Sequence, residues 1–269
     1  MKLSLNTVTV KEKWGLADCI EGCARHDIPG ISPWRDVLHA MGVDAAAKRI
    51  RDAGLTVTGL CRGGMFPAAD AAGRASAIED NRRAIAEAHA LGARCLVMVC
   101  GGLPAGSKDL PDARAQVRDG LHAIMADARA AGVTIALEPL HPMTCADRSV
   151  LSTLGQALDL CDELGEGSGV ALDVYHVWWD PDLARQIARA GRRIAAFHVC
   201  DWKSPTTDLV LDRGIPGEGV IDIPAIRAMV TAAGYSGNYA EVEILSKAWW
   251  ARDPEEVLPL LKERHLSAV

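Results

Sequence analysis

Aromatic side chains make up only 4% of this 269-residue chain, although 49% of it is hydrophobic. Aliphatic residues and alanine must therefore fill its core. No run approaches the roughly 18 apolar residues that a membrane-spanning helix requires. The N-terminus, MKLSLNTVTV, has neither a long apolar stretch nor a small-residue cleavage pattern. A soluble, cytoplasmic protein with no membrane partner is expected. Basic residues are not in excess, since 29 Lys and Arg stand against 35 Asp and Glu, a formal charge of −6. A basic face for nucleic acid is therefore not expected. The eight cysteines include no CxxC pair. Cys19 and Cys23, four apart on one helix face, lack the second pair that would complete a zinc site, so reduced structural thiols are expected. No Pro- or Ser-rich linker divides the chain, and no Gly-rich phosphate loop is present.

What is present is an alternation of strand-like and helical patterns from end to end. Strand-like runs fall at 3–8, 28–32, 56–61, 95–100, 133–138, 169–174, 194–199 and 238–244. The clearest helical patterns lie at 44–53, 76–91, 112–131, 153–164, 182–190, 224–233 and 254–264. Six of these helices run into a glycine: Gly54, Gly92, Gly132, Gly165, Gly191 and Gly234. Glycine there ends a helix in a left-handed turn without a Cβ clash. Eight such units with short connections predict an α/β fold of one domain over residues 1–269, a closed parallel (β/α)8 TIM barrel. A doubly wound open sheet has the same alternation, but usually carries a Gly-rich nucleotide loop. Two stretches are expected to overhang the barrel mouth: the irregular 203–219, KSPTTDLVLDRGIPGEG, and the Gly- and Ala-rich 62–74.

Four of the apolar runs end in a residue able to hold a divalent metal. They are VTIALE at Glu138, GVALD at Asp173, RIAAFH at His198 and YAEVE at Glu243, with spacings of 35, 25 and 45 residues. A single strand-end glutamate is an ordinary surface carboxylate, and a lone histidine is usually a core residue. Their recurrence on successive strands is what counts, because the C-terminal ends of barrel strands converge on one mouth. One divalent ion is expected, Mn²⁺ first, with Mg²⁺, Co²⁺ or Zn²⁺ suited to the same donors. Glu241 shares a strand face with Glu243; the latter is preferred because it lies nearer the C-terminal end. His176, three residues after Asp173, is expected in the same pocket, with His141 and Trp178 as further substrate contacts. Asp201, three after His198, is expected beside that imidazole. Trp34, Arg35 and Arg62 fall near the second and third strand ends and are expected to line the pocket. Glu138 and Glu243 suit a proton shuttle next to a carbonyl, through an enediolate stabilised by the metal.

The segments LEPLHPMTCADRSVLSTLGQALDLCDEL, LDVYHVWWDPDL, FHVCDW, RGIPGEGVIDIPAI and EVEILSKAWWARDPEEV resemble the sugar phosphate isomerase/epimerase family of the xylose-isomerase-like barrels; CRGGMFP adds to the likeness. The resemblance covers essentially the whole chain. It implies the (β/α)8 barrel, one divalent metal on Glu138, Asp173, His198 and Glu243, a substrate contact at His176, and Glu138 and Glu243 as proton carriers. It also implies a small-molecule sugar as partner and a homo-oligomer. Two positions depart from the pattern. An arginine expected six residues after the metal histidine is Ser204, leaving Lys203 or Arg213 to take its place. A second glutamate, six after the first ligand, is Thr144. The expected function is a metal-dependent sugar isomerase or epimerase. A lyase or dehydratase acting on a keto-sugar would begin with the same deprotonation. A nuclease related to apurinic-site endonucleases would need three metals and more ligands, and a metal-free sugar-binding barrel would make the four donors coincidental.

Overall fold

A computed structural model describes residues 1–269. The aliphatic runs form strands β1 (Lys2–Asn6), β2 (Gly30–Ser32), β3 (Thr56–Val57), β4 (Leu60–Gly64), β5 (Cys95–Val99), β6 (Thr134–Leu137), β7 (Ser168–Asp173) and β8 (Ile194–Val199). A short ribbon follows, β9 (Asp201–Trp202) with β10 (Arg213–Gly214), and then β11 (Tyr239–Val242). The main sheet is parallel, in the order β3-β2-β1-β11-β8-β7-β6-β5-β4. Its two edges, β3 and β4, are halves of one strand broken at Thr58–Gly59, and a parallel bridge from Trp34 to Cys61 draws the ends together. The sheet thus closes into a (β/α)8 TIM barrel.

Helices return the chain outside the sheet, notably Ala71–Leu91, Leu110–Ala131, Leu154–Leu164 and Ile223–Ala232. Side-chain caps start them: Asp70, Asp109, Thr153 and Asp222 each accept from a backbone N–H inside the first turn. All six helix-ending glycines adopt positive φ; at Gly132 (φ 67) the turn is left-handed, a conformation costly to residues with a Cβ. The sheet–helix layer is packed with Leu, Ile, Val and Ala. Inside the barrel sit smaller groups, Cys61, Cys95, Val97, Ala136, Ala171 and Ala196, which leave room for polar side chains there. All eight cysteines are free of disulfides. No helix is long and apolar enough to cross a membrane.

The two stretches expected over the mouth differ from simple lids. Residues 62–64 belong to β4, and a helix starts at Ala71, so the second loop is only 65–70. Within 203–219, Arg213 pairs with Trp202 and Gly214 with Asp201 in the antiparallel ribbon. The excursion between the two strands is tied down by the Tyr175 hydroxyl on the Leu209 carbonyl and by a bridge between Asp212 and Ser246.

Candidate metal centre

Strand register builds the centre. Asp173 is level with His198 across β7 and β8, and His198 is level with Glu241 across β8 and β11. Two residues on, with the side chain returned to the same face of the pleat, Glu243 stands one layer nearer the mouth. Glu138 follows the last residue of β6. One ligand atom from each of Glu138, Asp173, His198 and Glu243 lies within 4.8 Å of the other three, and all four residues are buried. His198 Nδ1 is 3.0 Å from Glu138 Oε1 and 3.8 Å from Glu243 Oε2.

Glu241 lies behind the imidazole. One oxygen is 3.4 Å from His198 Nε2, and its carboxylate accepts from Asn6 Nδ2 at 2.7 Å and Thr58 Oγ1 at 2.8 Å. Asn6 Nδ2 also donates to Glu243 Oε1 at 3.0 Å. Strand alternation puts both glutamates on one face; it is Glu243 that joins the four-residue cluster, while Glu241 lies against the other ring nitrogen.

Arg213 enters from the ribbon and is 2% exposed. Its Nη1 donates to Asp173 Oδ2 at 2.9 Å and Glu243 Oε2 at 3.2 Å, and its guanidinium lies over the Tyr175 ring at 4.4 Å. Of the two residues that could stand in where Ser204 breaks the sequence pattern, Lys203 pairs with Asp212, whereas Arg213 reaches the cluster. Counting from His198 misses it, because residues 203–212 bulge out between paired strands; counting back from the RGIPGEG turn finds it. That turn is crowded: a Cβ on Gly219 would fall 2.2 Å from the Trp202 carbonyl oxygen.

Asp201 does not reach His198. Its oxygens accept from the backbone N–H groups of Trp202, Gly217 and Ile221 at 2.9–3.0 Å, so it fastens the ribbon that carries Arg213. Asp201→Ala would strand three donors, two of them buried or nearly so. A cost of about 3 kcal/mol is expected, a fall in Tm of roughly 6–10 °C, with amide exchange in 201–221 rising first. Unchanged exchange there would contradict this anchoring role.

His176 is buried and level with the cluster. Its Nδ1 lies 3.1 Å from the His141 backbone nitrogen, and Arg213 Nη2 stands 3.0 Å from its Nε2. Burial holds this ring well below the usual histidine range despite nearby Asp173, so it is neutral, with one nitrogen bearing a proton and the other accepting. The Arg213 guanidinium, which can only donate, bonds Nε2 in the tautomer that leaves that nitrogen free.

Trp34 and Arg62 line the same cavity with Glu138, His176, Arg213 and Glu243. The other residues singled out lie elsewhere. His141 and Trp178 belong to an aromatic cluster around Trp202, with ring centroids 5.0 and 5.8 Å from it. Lys203 is ion-paired with Asp212. Arg35 is held outside the barrel by Asp80 and Glu87. Thr144, where the pattern has a glutamate, is buried and bonds the His141 carbonyl. Arg148 was not anticipated, yet it lines the cavity; it lies in an irregular loop with no periodicity to mark it.

Four buried carboxylates, Glu138, Asp173, Glu241 and Glu243, share one fully buried cation, Arg213. Such charge needs compensation in a low-dielectric interior. Burial pushes Glu243 up to about 7, against the pull of Arg213 and His198. Burial disfavours the charged form of His198, but Glu241, Glu138 and Glu243 outweigh it and hold the ring well above its ordinary range. A cluster that raises both its acid and its base is short of positive charge. Three hard oxygen donors and an imidazole fit a divalent ion.

These features make a (β/α)8 barrel with a buried Glu–Asp–His–Glu cluster at its mouth, able to hold a metal ion. The chain belongs to the xylose isomerase-like TIM barrel family, whose model matches residues 13–263. It is 54% identical to the solved protein SMc04130 from Sinorhizobium meliloti 1021, over 99% of this chain and 98% of that one, with a TM-score of 0.97. It shares 22% identity with the IolI protein solved with a zinc atom, over 100% and 98% of the chains, TM-score 0.85. It shares 17% with a D-psicose 3-epimerase, over 99% and 97%, TM-score 0.81. The last two likenesses are of fold. No curated protein matches the chain.

Proposed function

We propose that this protein is a metal-dependent sugar isomerase or epimerase, acting on a ketose, keto-polyol or related sugar by proton transfer. The observation that carries this reading is the convergence of Glu138, Asp173, His198 and Glu243 within 4.8 Å, buried, beside His176 and Arg213. The neighbouring epimerase of the same fold supports it. These four residues would hold the ion, and Mn²⁺ best suits their three carboxylates and one imidazole. When bound, the ion supplies Lewis-acid stabilisation of charge on a substrate oxygen.

The chain's own residues do the rest. His176 and Arg213, bonded to one another at the cavity wall, would orient a sugar oxygen beside the cluster. Glu138, at the end of β6, takes the proton from the carbon beside the carbonyl, and the C–H electron pair moves towards the carbonyl oxygen. Glu243, on the other side of His198, returns a proton to the same carbon's other face or to its neighbour. Burial that brings a carboxyl towards neutral pH suits it to giving as well as taking a proton, and Glu243 has that environment.

The test is a panel of ketoses, inososes and 3-keto-glycosides incubated with Mn²⁺-loaded protein in D₂O, with products read by NMR. Conversion without change of formula is expected. Glu138→Gln should lower the rate by roughly 10²–10⁴ with an unchanged circular dichroism melt. Near-normal turnover by that variant removes Glu138 from the chemistry. Loss of a β-hydroxyl from the substrate would mark a lyase instead.

A further inference from the structure

We infer that the substrate carries a carboxylate, gripped by Arg62 and Arg148 at the rim of the metal cluster, so that the site takes a sugar acid. This rests on the proposed reading of the cavity as the place where substrate binds.

Arg62 owes its position to a bulge. In the β4–β5 ladder Cys61 pairs with Val97 and Gly63 with Met98, leaving Arg62 as the extra residue. A bulge turns a side chain out of the strand's alternation and is common beside active sites. Arg148 comes from the neighbouring loop after Thr144, whose carbonyl accepts its backbone N–H at 2.9 Å; the next residue, Ser149, bridges to Gly101 just past β5. Both line the cavity with Glu138, His176, Arg213 and Glu243.

Neither guanidinium has an ion pair or a side-chain hydrogen bond, whereas Arg213 is engaged by both Asp173 and Glu243. Instead Arg148 is crowded by its own kind. Burial first, then Arg213 and Arg62, pull it below the usual arginine range, and Glu138 and Glu243 only partly offset this. Two half-buried, unpaired guanidinia facing one cavity are an unfilled demand for an anion. An arginine fork matches a planar carboxylate in two parallel hydrogen bonds.

Charge and size narrow the class. Arg62, Arg148 and Arg213 contribute +3, and Glu138, Asp173, Glu241 and Glu243 contribute −4. A divalent ion would bring the total to +1, which one carboxylate neutralises and a dianionic phosphate overshoots. The free interior of the cavity is only about 10 Å³, room for about one water. The arginines must therefore swing onto an incoming ligand, and a small planar anion asks the least movement.

The experiment is calorimetric titration of D-fructose, D-fructuronate and D-fructose 6-phosphate, which differ only at C6, into metal-free and Mn²⁺-loaded protein. Fructuronate is expected to bind at least tenfold tighter than fructose in both forms. Arg148→Gln and Arg62→Gln should each cost the acid about tenfold and fructose several-fold less, with Arg148→Lys recovering part of the loss. Their melts should not fall below wild type, since neither guanidinium bonds to the protein and the charge of Arg148 is disfavoured where it lies. Equal affinities for acid and neutral sugar, no binding of the acid, or equal losses for both ligands would overturn the inference. Tightest binding by the phosphate ester would overturn the carboxylate assignment. Metal content is measured on the same samples. A failure to take up metal would count against the proposed metal enzyme, while the acid–neutral comparison in metal-free protein would still decide the anion site.

Discussion

Asp173→Asn and His198→Ala are each expected to lower bound divalent metal from about one ion per chain to less than about a tenth, as read by mass spectrometry after dialysis against Mn²⁺. The cluster has only four protein donors, so each loss removes a full share of the coordination. Asn keeps the size of Asp but not its charge, and an uncharged amide oxygen is a poor exchange for a carboxylate. His198→Ala also leaves Glu138, Glu241 and Glu243 facing one another with no imidazole between them. An ion bound at about a thousand times its Kd stabilises the fold by about 4 kcal/mol, so the variants should also lose the Mn²⁺-induced rise in Tm. Glu241→Gln separates the two glutamates of β11 and its end. Glu241 touches the ring from behind and is engaged by Asn6 and Thr58. Its loss should weaken metal binding by about 10–100-fold, as for other groups that orient a metal ligand. Unchanged occupancy in both Asp173→Asn and His198→Ala would refute the ligand set.

Much of this centre was legible because strand ends are legible. A short aliphatic run closing on Glu, Asp or His is a local pattern, and parallel strands bring those ends together whatever lies between. The helix ends were legible for a similar local reason, the left-handed glycines at Gly92 and Gly132. What escaped depends on contacts distant in sequence. Asp201 reads as a partner for His198 by spacing, but three backbone donors from the ribbon and the following turn take its oxygens. Arg213 stands beside Lys203 as a candidate for the missing arginine; only the pairing of β9 with β10 reveals that Arg213 is the one that returns to the cluster. Arg62 is expected just past a strand end and in the pocket, where it lies, but the bulge inside β4 that aims it there leaves no mark in CRGGMFP beyond the glycines. The helix Leu16–Arg25 is marked in the sequence only by the shared face of Cys19 and Cys23, although Leu16 and Ile20 extend that stripe, because Gly15 opens it where a side-chain cap would announce a start.

Metal-free protein is expected to be less stable at pH 8 than at pH 5, by about 2–3 kcal/mol, the reverse of what an ordinary paired carboxylate gives. Glu243 is held at about 7 in the folded chain, chiefly by burial, against about 4.3 for an unperturbed glutamate. The folded state therefore binds the extra proton between these values, and stability falls as pH rises through that window. The gain is fully present below the unfolded value and gone above about pH 7. His198, also raised by its acidic neighbours, acts in the same direction, losing its contribution as pH climbs through its folded value; the two are in contact, so their contributions do not add. Asp173 is lowered, burial being outweighed by Arg213 and the two histidines, and its opposite dependence lies below the acid end of this window. Urea unfolding with EDTA at pH 5 and pH 8 measures the difference. Mn²⁺ should invert it, because ligands must shed their protons to bind: the ion adds most at pH 8, where Glu243 is ionised, and least at pH 5. Metal-free stability that stays level or climbs from pH 5 to pH 8 would mean that the buried carboxylates are neutralised in another way, and the case for a cation among them would lose its electrostatic ground.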